Sequence, residues 1–514
     1  MDEMEIIAKF IDSNICLHPS VFEELRGKNE DEINRIIAHA GTECPDVMTL
    51  EYLKSLEEGM LNGKAGAVTQ DTKSEEPPEV EIARRKKRGL AEEHDSELEI
   101  RWEKDVTRQP SSEGKLESFI EYFNYRYETL AKILRARDPL RDAATIEWAQ
   151  KSSKNSEKYK TEVKIIGMVN DVRPTKKGHV LIELEDPTGV IPTLVLNSDR
   201  ELIEASRELM KDEVIGIEGT TSKGKDLVII REIFFPDVPV RKGLKKSDVP
   251  LAMAMLSDIH VGSEKFLEDD FLKFLKWLKG DLGNQKQREL AQRVKYLVIG
   301  GDLVDGVGIY PEQERELKIK DIYQQYAKMA EYLTQVPDHI EIVVIPGNHD
   351  AVRQAEPQPA IMEEYAKALY DDPRIHMTGN PSFIKTHGVE VLSYHGRSLD
   401  DVISTIPGTS YANPDKAMLA LVKKRHLAPV YGGKVPLAPV AMDFMLVDEV
   451  PDIFHFGHVH AIGVSSYRGT VVLNSGTFQE QTSFQRKHNV VPTPSQVPII
   501  DLQAQRTTIM RFDL

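Results

Sequence analysis

The stretch that most constrains this chain is Ile342-Val343-Val344-Ile345-Pro346-Gly347-Asn348-His349-Asp350. Four apolar, β-branched residues read as a buried strand, and Pro-Gly then stops the strand and bends the backbone. An amide oxygen, an imidazole and a carboxylate follow at once, at the kind of strand end where a sheet protein aims rigid groups into a cleft. Alone, Gly-Asn-His-Asp is an ordinary polar turn. Four further runs share its form. Leu251 to Leu256 delivers Ser257-Asp258-Ile259-His260, and Tyr296-Leu297-Val298-Ile299 delivers Gly300-Gly301-Asp302. Val389 to Tyr394 delivers His395-Gly396, and Ile453 to Phe456 delivers Gly457-His458-Val459-His460. Asp258 and His260 stand two apart, as do His458 and His460, so in extended chain each pair points to one side. A lone histidine is more often a core or surface residue than a ligand. Strand-end clusters of Asp, Asn and His repeated in this way are the pattern of a metal site.

The residue types suit a particular chemistry. Two divalent ions about 3.5–4 Å apart need a shared anionic ligand, and Asp302 is the natural bridge. Asp258, His260 and His460 then hold one ion, and Asn348, His395 and His458 hold the other. Oxygen and nitrogen donors without cysteine favour manganese, iron or zinc over a thiolate site. Manganese is the expected ion, with magnesium, iron or zinc as alternatives. Such a pair activates a water and clamps the oxygens of a phosphate. His349 is left over beside the second ion, suited to protonating the leaving oxygen or steadying charge in the transition state. Asp350 is expected to orient its imidazole.

The order Asp-x-His, Gly-Asp, Gly-Asn-His-Asp, His, Gly-His-x-His is similar to that of the calcineurin-like metallophosphoesterases, a family that includes the Mre11-type DNA nucleases. Every expected ligand position is filled. Longer strings narrow the resemblance and extend it over almost the whole chain. Gly300-Gly301-Asp302-Leu303-Val304-Asp305-Gly306 followed by Ile309-Tyr310-Pro311, Asn348 through Ala355, and Asn474-Ser475-Gly476-Thr477-Phe478 resemble the small subunits of archaeal family D DNA polymerases. The resemblance implies an α/β multidomain fold: a four-layer calcineurin-like sandwich preceded by an OB-fold and a small N-terminal helical domain. It implies a metal-dependent 3′–5′ exonuclease within a heteromeric DNA polymerase, with nucleotide addition left to a large catalytic subunit in a heterodimer or heterotetramer. DNA with single-stranded or mismatched 3′ ends is the implied substrate, and a sliding clamp is a further candidate partner. Eukaryotic relatives of this subunit have generally lost metal ligands. This chain keeps them, which favours an active site over the alternatives, a catalytically silent scaffold or a stand-alone repair nuclease.

At 514 residues the chain has room for two to four domains. Its net charge of −17 argues against coating DNA unaided, while leaving room for a local basic groove or DNA held jointly with a partner. Cys16 and Cys44 read as reduced core thiols of a cytoplasmic protein. The acidic start, Met1-Asp2-Glu3, lacks a signal-peptide n-region, and no apolar run is long enough to span a bilayer, so no membrane role is expected.

Residues 1–60 read as a small helical domain, with stripes at Ile6, Ile7, Phe10, Ile11 and at Ile33, Ile36, Ile37, and a capping-box form at Ser20-Val21-Phe22-Glu23. Residues 61–114 read as a charged flexible linker, poor in large apolar residues. Arg84-Arg85-Lys86-Lys87-Arg88 within it either touches nucleic acid or is simply solvated. Residues 115–157 form a helical brace whose face is Phe119, Phe123, Tyr127, Leu130 and Leu134. Residues 158–240 alternate like the strands of an OB barrel, with a short helix over Asp199–Leu209, Lys176, Lys177, Lys223 and Lys225 on loops, and few aromatics. A barrel of that composition is at least as suited to protein contact as to DNA. Residues 241–514 form the phosphoesterase domain, where alternating strands and helices argue a layered α/β core. Its expected helices are Asp269–Lys279, Glu312–Leu333, Ser398–Ile406 and Pro414–His426. The last carries Lys423, Lys424, Arg425 and His426, which either contact a phosphate backbone or form a solvated helix end. Val497–Ile499 and Thr508–Phe512 alternate like hairpin strands. His339, His376, His387, His426, His455 and His488 lack the strand-end context and read as structural or surface residues, with His455 close enough to tune the ligands.

Overall fold

The computed structural model describes residues 28–40, 89–109, 114–155, 161–222, 227–243, 245–487 and 489–513, together with Phe10, Cys16, Leu17, Val21, Leu25, Val47, Met48 and Leu53. The chain divides into two units, residues 1–85 and 86–514. In the first, β1 (Cys16–Leu17) pairs in parallel with β2 (Val47–Met48). Helix α1 (Glu30–Ala40) opens on a reciprocal cap, Asn29 accepting from the Glu32 N–H and Glu32 from the Asn29 N–H. It buries Ile33 and Ile36, the expected stripe. The strand pair was not expected, because two-residue runs are too short to show a period. Ile6, Ile7, Ile11, Cys44, the basic run 84–88 and, of the capping-box form, Ser20, Phe22 and Glu23 lie outside the described residues, as do Lys223, Lys225 and His488.

The second unit starts with a correction. Residues 89–109, expected to be linker, are built into the fold. Ala91 is buried, and β3 (Glu99–Ile100) adds antiparallel to the strand Ser382–Thr386. Buried Asp105 accepts from the backbone N–H groups of Thr107 and Gly379. The segment joins a sheet edge through its backbone and packs only scattered apolar side chains, Ala91, Leu98, Ile100 and Val106, too irregularly spaced to show a period.

Helices α2 (Leu116–Arg135) and α3 (Ile146–Asn155) lead into a closed five-stranded barrel. Its strands are β4 (Glu162–Pro174), β5 (Val180–Asp186), β6 (Gly189–Val195), β7 (Val214–Thr221) and β8 (Val228–Phe234), with α4 (Arg200–Arg207) between β6 and β7. The ladder runs β4-β5-β6-β8-β7, and the β6–β8 pairing is its parallel step. Alternate side chains fill the interior, among them Ile165, Ile182, Leu184, Ile215 and Ile217. The α2 face Tyr127, Leu130 and Leu134 packs on Ile166, Met168 and Val214 of the barrel, so the brace rests on the barrel wall.

The remaining chain forms two six-stranded sheets. The first runs through β9 (Ala252–Leu256), α5 (Glu268–Leu278), α6 (Gln285–Ala291), β10 (Val294–Gly300), α7 (Ile322–Leu333), β11 (Glu341–Ile345), α8 (Glu363–Tyr370) and β12 (Ile375–Met377). The second is built from β13 (Ser382–Thr386), β14 (Val389–Ser393), α9 (Leu399–Thr405), α10 (Asp415–Lys424), β15 (Ile453–Phe456), β16 (Gly463–Tyr467) and β17 (Thr470–Asn474). After α11 (Ser483–Lys487), the hairpin β18 (Gln496–Asp501) and β19 (Arg506–Arg511) returns to the first sheet. The strand orders are β12-β11-β10-β9-β18-β19 and β16-β17-β15-β14-β13-β3. Met253, Met255, Tyr296, Val298 and Val343 of one sheet meet Ile384, Val391, Ile453 and Leu473 of the other. On the opposite face of the first sheet, Ala254, Leu297, Ile299 and Val344 meet Phe271, Phe274, Met329 and Leu333 of the helices. Leu392, Phe454 and Val472 of the second do the same with Val402, Met418 and Leu421. The layers are therefore helix, sheet, sheet, helix. Strands buried on both faces explain the unbroken apolar runs of the sequence. The helix expected over Glu312–Leu333 is shorter than that stretch: α7 begins at Ile322, where Asp321 caps the Gln324 N–H. Gln313, before it, is drawn toward the strand-end cluster instead, bonded to Asp305.

Lys424, Arg425 and His426 are buried, and half-buried Lys423 pairs with Glu208 at 3.3 Å, so this stretch is not a solvated helix end. Lys424 is buried in an ion pair with Glu213 of the barrel at 3.0 Å. Buried Asp443 takes the Arg126 guanidinium at 2.8 Å, the Tyr122 hydroxyl at 2.9 Å and His426 Nε2 at 2.7 Å. Burial, with Arg126 close by, lowers the His426 pKa to about 4. This network locks α2 and the barrel to the second sheet's helices. Arg126→Met removes the guanidinium and leaves Asp443 buried with too few donors, so it should destabilise the fold by about 3–5 kcal/mol. Denaturant unfolding checks this: a loss under about 1 kcal/mol, the level of an exposed pair, would show that the pair contributes little.

Candidate metal centre

The five strand ends converge. Asp258 and His260 follow β9, Asp302 follows β10, Asn348 and His349 follow β11, His395 follows β14, and His458 and His460 follow β15. Parallel neighbours β9, β10 and β11 align these exits on one edge, and β14 and β15 bring theirs from the facing sheet. Three ligand groupings close to within 4.8 Å: Asp258 with His260 and His460, His260 with Asp302 and His349, and Asp258 with Asp302 and His395. Asp258, His260, Asp302, His395 and His460 are buried, whereas Asn348, His349 and His458 keep a solvent-facing side. The cluster is thus closed at the back and open where a substrate would enter.

The backbone is not extended here, contrary to the spacing expectation. Asp258, His260, Asp302, His458 and His460 all have left-handed backbones, with φ of 54°, 57°, 52°, 70° and 57°. Successive left-handed turns, not strand alternation, aim each pair inward. Non-glycine residues held in this region cost of order 1–3 kcal/mol each, and such strain gathers at functional sites. The approach is close enough to exclude side chains: a Cβ on Gly347 would sit 2.2 Å from Asp302 Oδ1.

Hydrogen bonds fix which atoms face the centre. His260 Nδ1 donates to Asp305 Oδ1 at 3.1 Å, and His395 Nδ1 donates to the Gly300 carbonyl at 2.8 Å. Each leaves Nε2 to present its lone pair inward, the arrangement of a histidine ligand. The two inward nitrogens of His260 and His460 lie 3.1 Å apart. His395 Nε2 is 3.1 Å from Asn348 Oδ1 and 3.3 Å from Asp302 Oδ2. Asp302 Oδ1 accepts the His349 backbone N–H at 2.8 Å, while Oδ2 stands between His395 and His260, 3.8 Å from the latter. Asp258 Oδ2 accepts from Ser257 and from the His458 N–H, while its buried Oδ1 makes no hydrogen bond of good geometry but stands 3.3 Å from His460 Nε2. Nitrogen and oxygen acceptors that converge in this way are a donor set suited to a cation.

Electrostatics point the same way. Burial disfavours an imidazolium at His395, but the Asp302 and Asp258 carboxylates outweigh it and raise the pKa to about 10. Burial likewise opposes ionisation of Asp258, yet His460 and His395 hold its pKa at about 2. The cluster draws in positive charge, supplied by protons where no ion is bound.

His458 takes a different pose from its sequence partner. Its Nε2 lies 3.2 Å from Asp400 Oδ2 at the start of α9, and its ring is 5.3 Å from that of His395. Nδ1 is therefore the ring atom left for an ion. His349 donates Nδ1–H to the Asp305 carbonyl at 2.7 Å and packs edge-on to His260 at 4.7 Å. The expected role of Asp350 does not hold. Its carboxylate accepts from the backbone N–H groups of Gly347 and Leu303 and from the Tyr326 hydroxyl, clamping the turn rather than orienting His349. Burial and Asp302 raise its pKa to about 7. His455 is buried between the hydroxyls of Ser393 and Ser475.

Several working residues were not assigned a role from the sequence. Asp305 serves both His260 and His349, and is itself held by Gln313 and Gln479. Gln485 reaches His460 Nδ1 at 2.9 Å. Asp305 belongs to the Gly-Asp-Leu-Val-Asp-Gly string that also carries Asp302, but Asp400, Gln479 and Gln485 are distant in the chain.

Residues 253–461, from β9 to just beyond His460, match the family model for the B-type subunits of DNA polymerases alpha and epsilon. The chain is 46% identical over 397 residues to the DNA polymerase II small subunit of Methanothermobacter thermautotrophicus, covering 77% of this chain and 80% of that one. It is 45% identical to its counterpart in Archaeoglobus fulgidus, over 77% of each chain, and 42% identical to that of Methanocaldococcus jannaschii, over 80% of this chain and 68% of the relative. Likeness to a solved structure such as the asparaginyl-tRNA synthetase of Pyrococcus horikoshii, at a TM-score of 0.16 over 18% of this chain and 22% of that chain, with 15% identity, is too slight to bear on the fold. On the strength of the three relatives, the chain belongs to the family of archaeal DNA polymerase II small subunits, those of the family D polymerases.

Proposed function

We propose that this small subunit is itself a phosphodiesterase: a two-metal 3′–5′ exonuclease that trims mismatched or single-stranded DNA ends while a separate large subunit adds nucleotides. The observation that carries the reading is the inward convergence of His260, His395 and His460 Nε2, Asn348 Oδ1, Asp302 Oδ2 and Asp258 Oδ1. Divalent ions held there, manganese before magnesium, iron or zinc, supply Lewis acidity and a nucleophilic water at neutral pH. The chain's own groups do the rest. Asp302 spans the two halves of the site, and Asp305 and Asp400 fix the ring orientations of His260 and His458. His349, on the open side, keeps Nδ1–H on the Asp305 carbonyl and, as the imidazolium, donates its second proton from Nε2 to the leaving oxygen; burial lowers its pKa, so this acid form is lost as pH rises. The barrel's strand order, with a helix between its third and fourth strands, supports an OB-type module. The helix–sheet–sheet–helix layering supports a calcineurin-like sandwich. A barrel short of exposed aromatics suits subunit contact better than base reading. We assign the protein to the cytoplasm; no described helix is long and apolar enough to cross a membrane.

The complex with its large subunit should remove a mismatched 3′ terminus before extension. Chelation should stop trimming, and added Mn²⁺ should restore it. Trimming that survives chelation, or that is unchanged by His460→Ala, would sink the proposal. Trimming absent from the wild-type complex in every metal would leave the scaffold reading.

A further inference from the structure

Beside the open edge of the metal centre stand two aromatic rings outside the buried core. Tyr310 lies 6.3 Å from the His349 ring and 6.4 Å from Phe484, ring centre to ring centre. Phe484 is 53% exposed, and neither ring is part of a hydrophobic cluster formed by the described residues. Yet both are held in place by polar contacts. Glu316 accepts from the Tyr310 hydroxyl at 3.1 Å through one oxygen and from the Ser483 hydroxyl through the other, so one carboxylate joins the two ring-bearing segments. The neighbour on the far side of Phe484, Gln485, is bonded to the predicted ligand His460. On the Tyr310 side, Gln313 accepts from the Ile309 N–H and donates to Asp305, the residue that orients His260. Exposed Arg486 and Lys487 close the same short helix.

An exposed ring beside a half-buried one, held by hydrogen bonds of the segments that carry them next to the proposed phosphodiester-cleaving centre, with cations beside them, has the chemistry of a stacking platform for a nucleobase. We propose that Tyr310 and Phe484 form a subsite for the base of the 3′-terminal nucleotide, an inference that rests on the exonuclease reading above. A base paired in a duplex is already stacked and offers no free face, whereas a frayed or mismatched terminal base does. The subsite thereby favours unpaired ends without reading sequence, since every base has a π face.

The test uses the full chain with its large subunit and two single strands, one ending in a normal nucleotide and one in a base-free sugar at the 3′ terminus. Wild type should cleave the normal end with a higher kcat/KM, by about 10- to 100-fold, the range of one base–aromatic stack. Phe484→Ala should lose that preference through KM on the normal end and leave the base-free end unchanged, and Phe484→Trp should restore it. Stacking is read separately as quenching of 2-aminopurine at the 3′ terminus, bound to the hydrolysis-deficient Asp302→Ala protein. Quenching that disappears with Phe484→Ala supports the subsite even if no hydrolysis is found, in which case the exonuclease reading alone falls. Equal rates on the two ends in wild type, equal losses on both in Phe484→Ala, or quenching indifferent to Phe484 would each overturn the subsite.

Discussion

Asp302→Ala is expected to reduce metal-dependent hydrolysis by more than about 10³-fold, a larger loss than removal of a single oxyanion donor causes in other hydrolases. Asp302 Oδ2 is the anionic oxygen shared between the His260 side and the His395 side, and Oδ1 fixes the turn by accepting the His349 N–H. Alanine removes the shared charge and frees the turn together. Each half of the site loses its common ligand, so metal content per chain should fall alongside turnover. Association with the large subunit should persist, because the changed atoms are buried inside the domain. The check is metal content, nuclease rate and co-elution with the large subunit on one preparation. A variant that retains two ions per chain and wild-type cleavage would show that the centre lies elsewhere. A folded variant that no longer assembles would mean that the site and the subunit interface are one.

The second large effect separates chemistry from metal assembly. His349→Ala should lower turnover on DNA by about 10²–10⁴-fold, the usual yield of a positioned general acid, while metal content stays close to wild type. The geometry motivates this split. His349 is partly exposed at the open side and anchored through Nδ1 on the Asp305 carbonyl, so Nε2 is available to the leaving oxygen. By contrast, His395→Ala and His458→Ala should weaken metal binding itself, and excess Mn²⁺ should partly restore them. An activated ester with a good leaving group needs little protonation, so His349→Ala should be impaired less on it than on DNA. If His349→Ala loses an ion, or its defect is equal on both esters, His349 is a ligand or a phosphate-holding group rather than an acid. Its place within 4.8 Å of Asp302 and His260 makes that outcome a real competitor.

These expectations draw on two levels of information. The apolar runs ending at Ser257, Gly300, Pro346, Tyr394 and Gly457 marked five strand ends, because strand burial and turn chemistry are local and leave a readable period. The candidate ligands were named from residue type and from the repetition of Asp, Asn and His at five such ends, since a single such residue has ordinary structural uses. The sequence did not disclose how the pairs are aimed. Asp258 with His260 and His458 with His460 converge through left-handed backbone that only the surrounding packing can hold, not through strand alternation. Nor did it separate His349 from Asp350. The two are adjacent in the chain, but the carboxylate turns back to clamp Gly347 and Leu303 while the imidazole faces out. The groups that set each histidine's ring, Asp305, Asp400 and Gln485, and the packing of residues 89–109 and of Lys424 against Glu213, depend on chain segments far apart. Their roles come from burial and hydrogen-bond satisfaction between those segments, which no local pattern encodes.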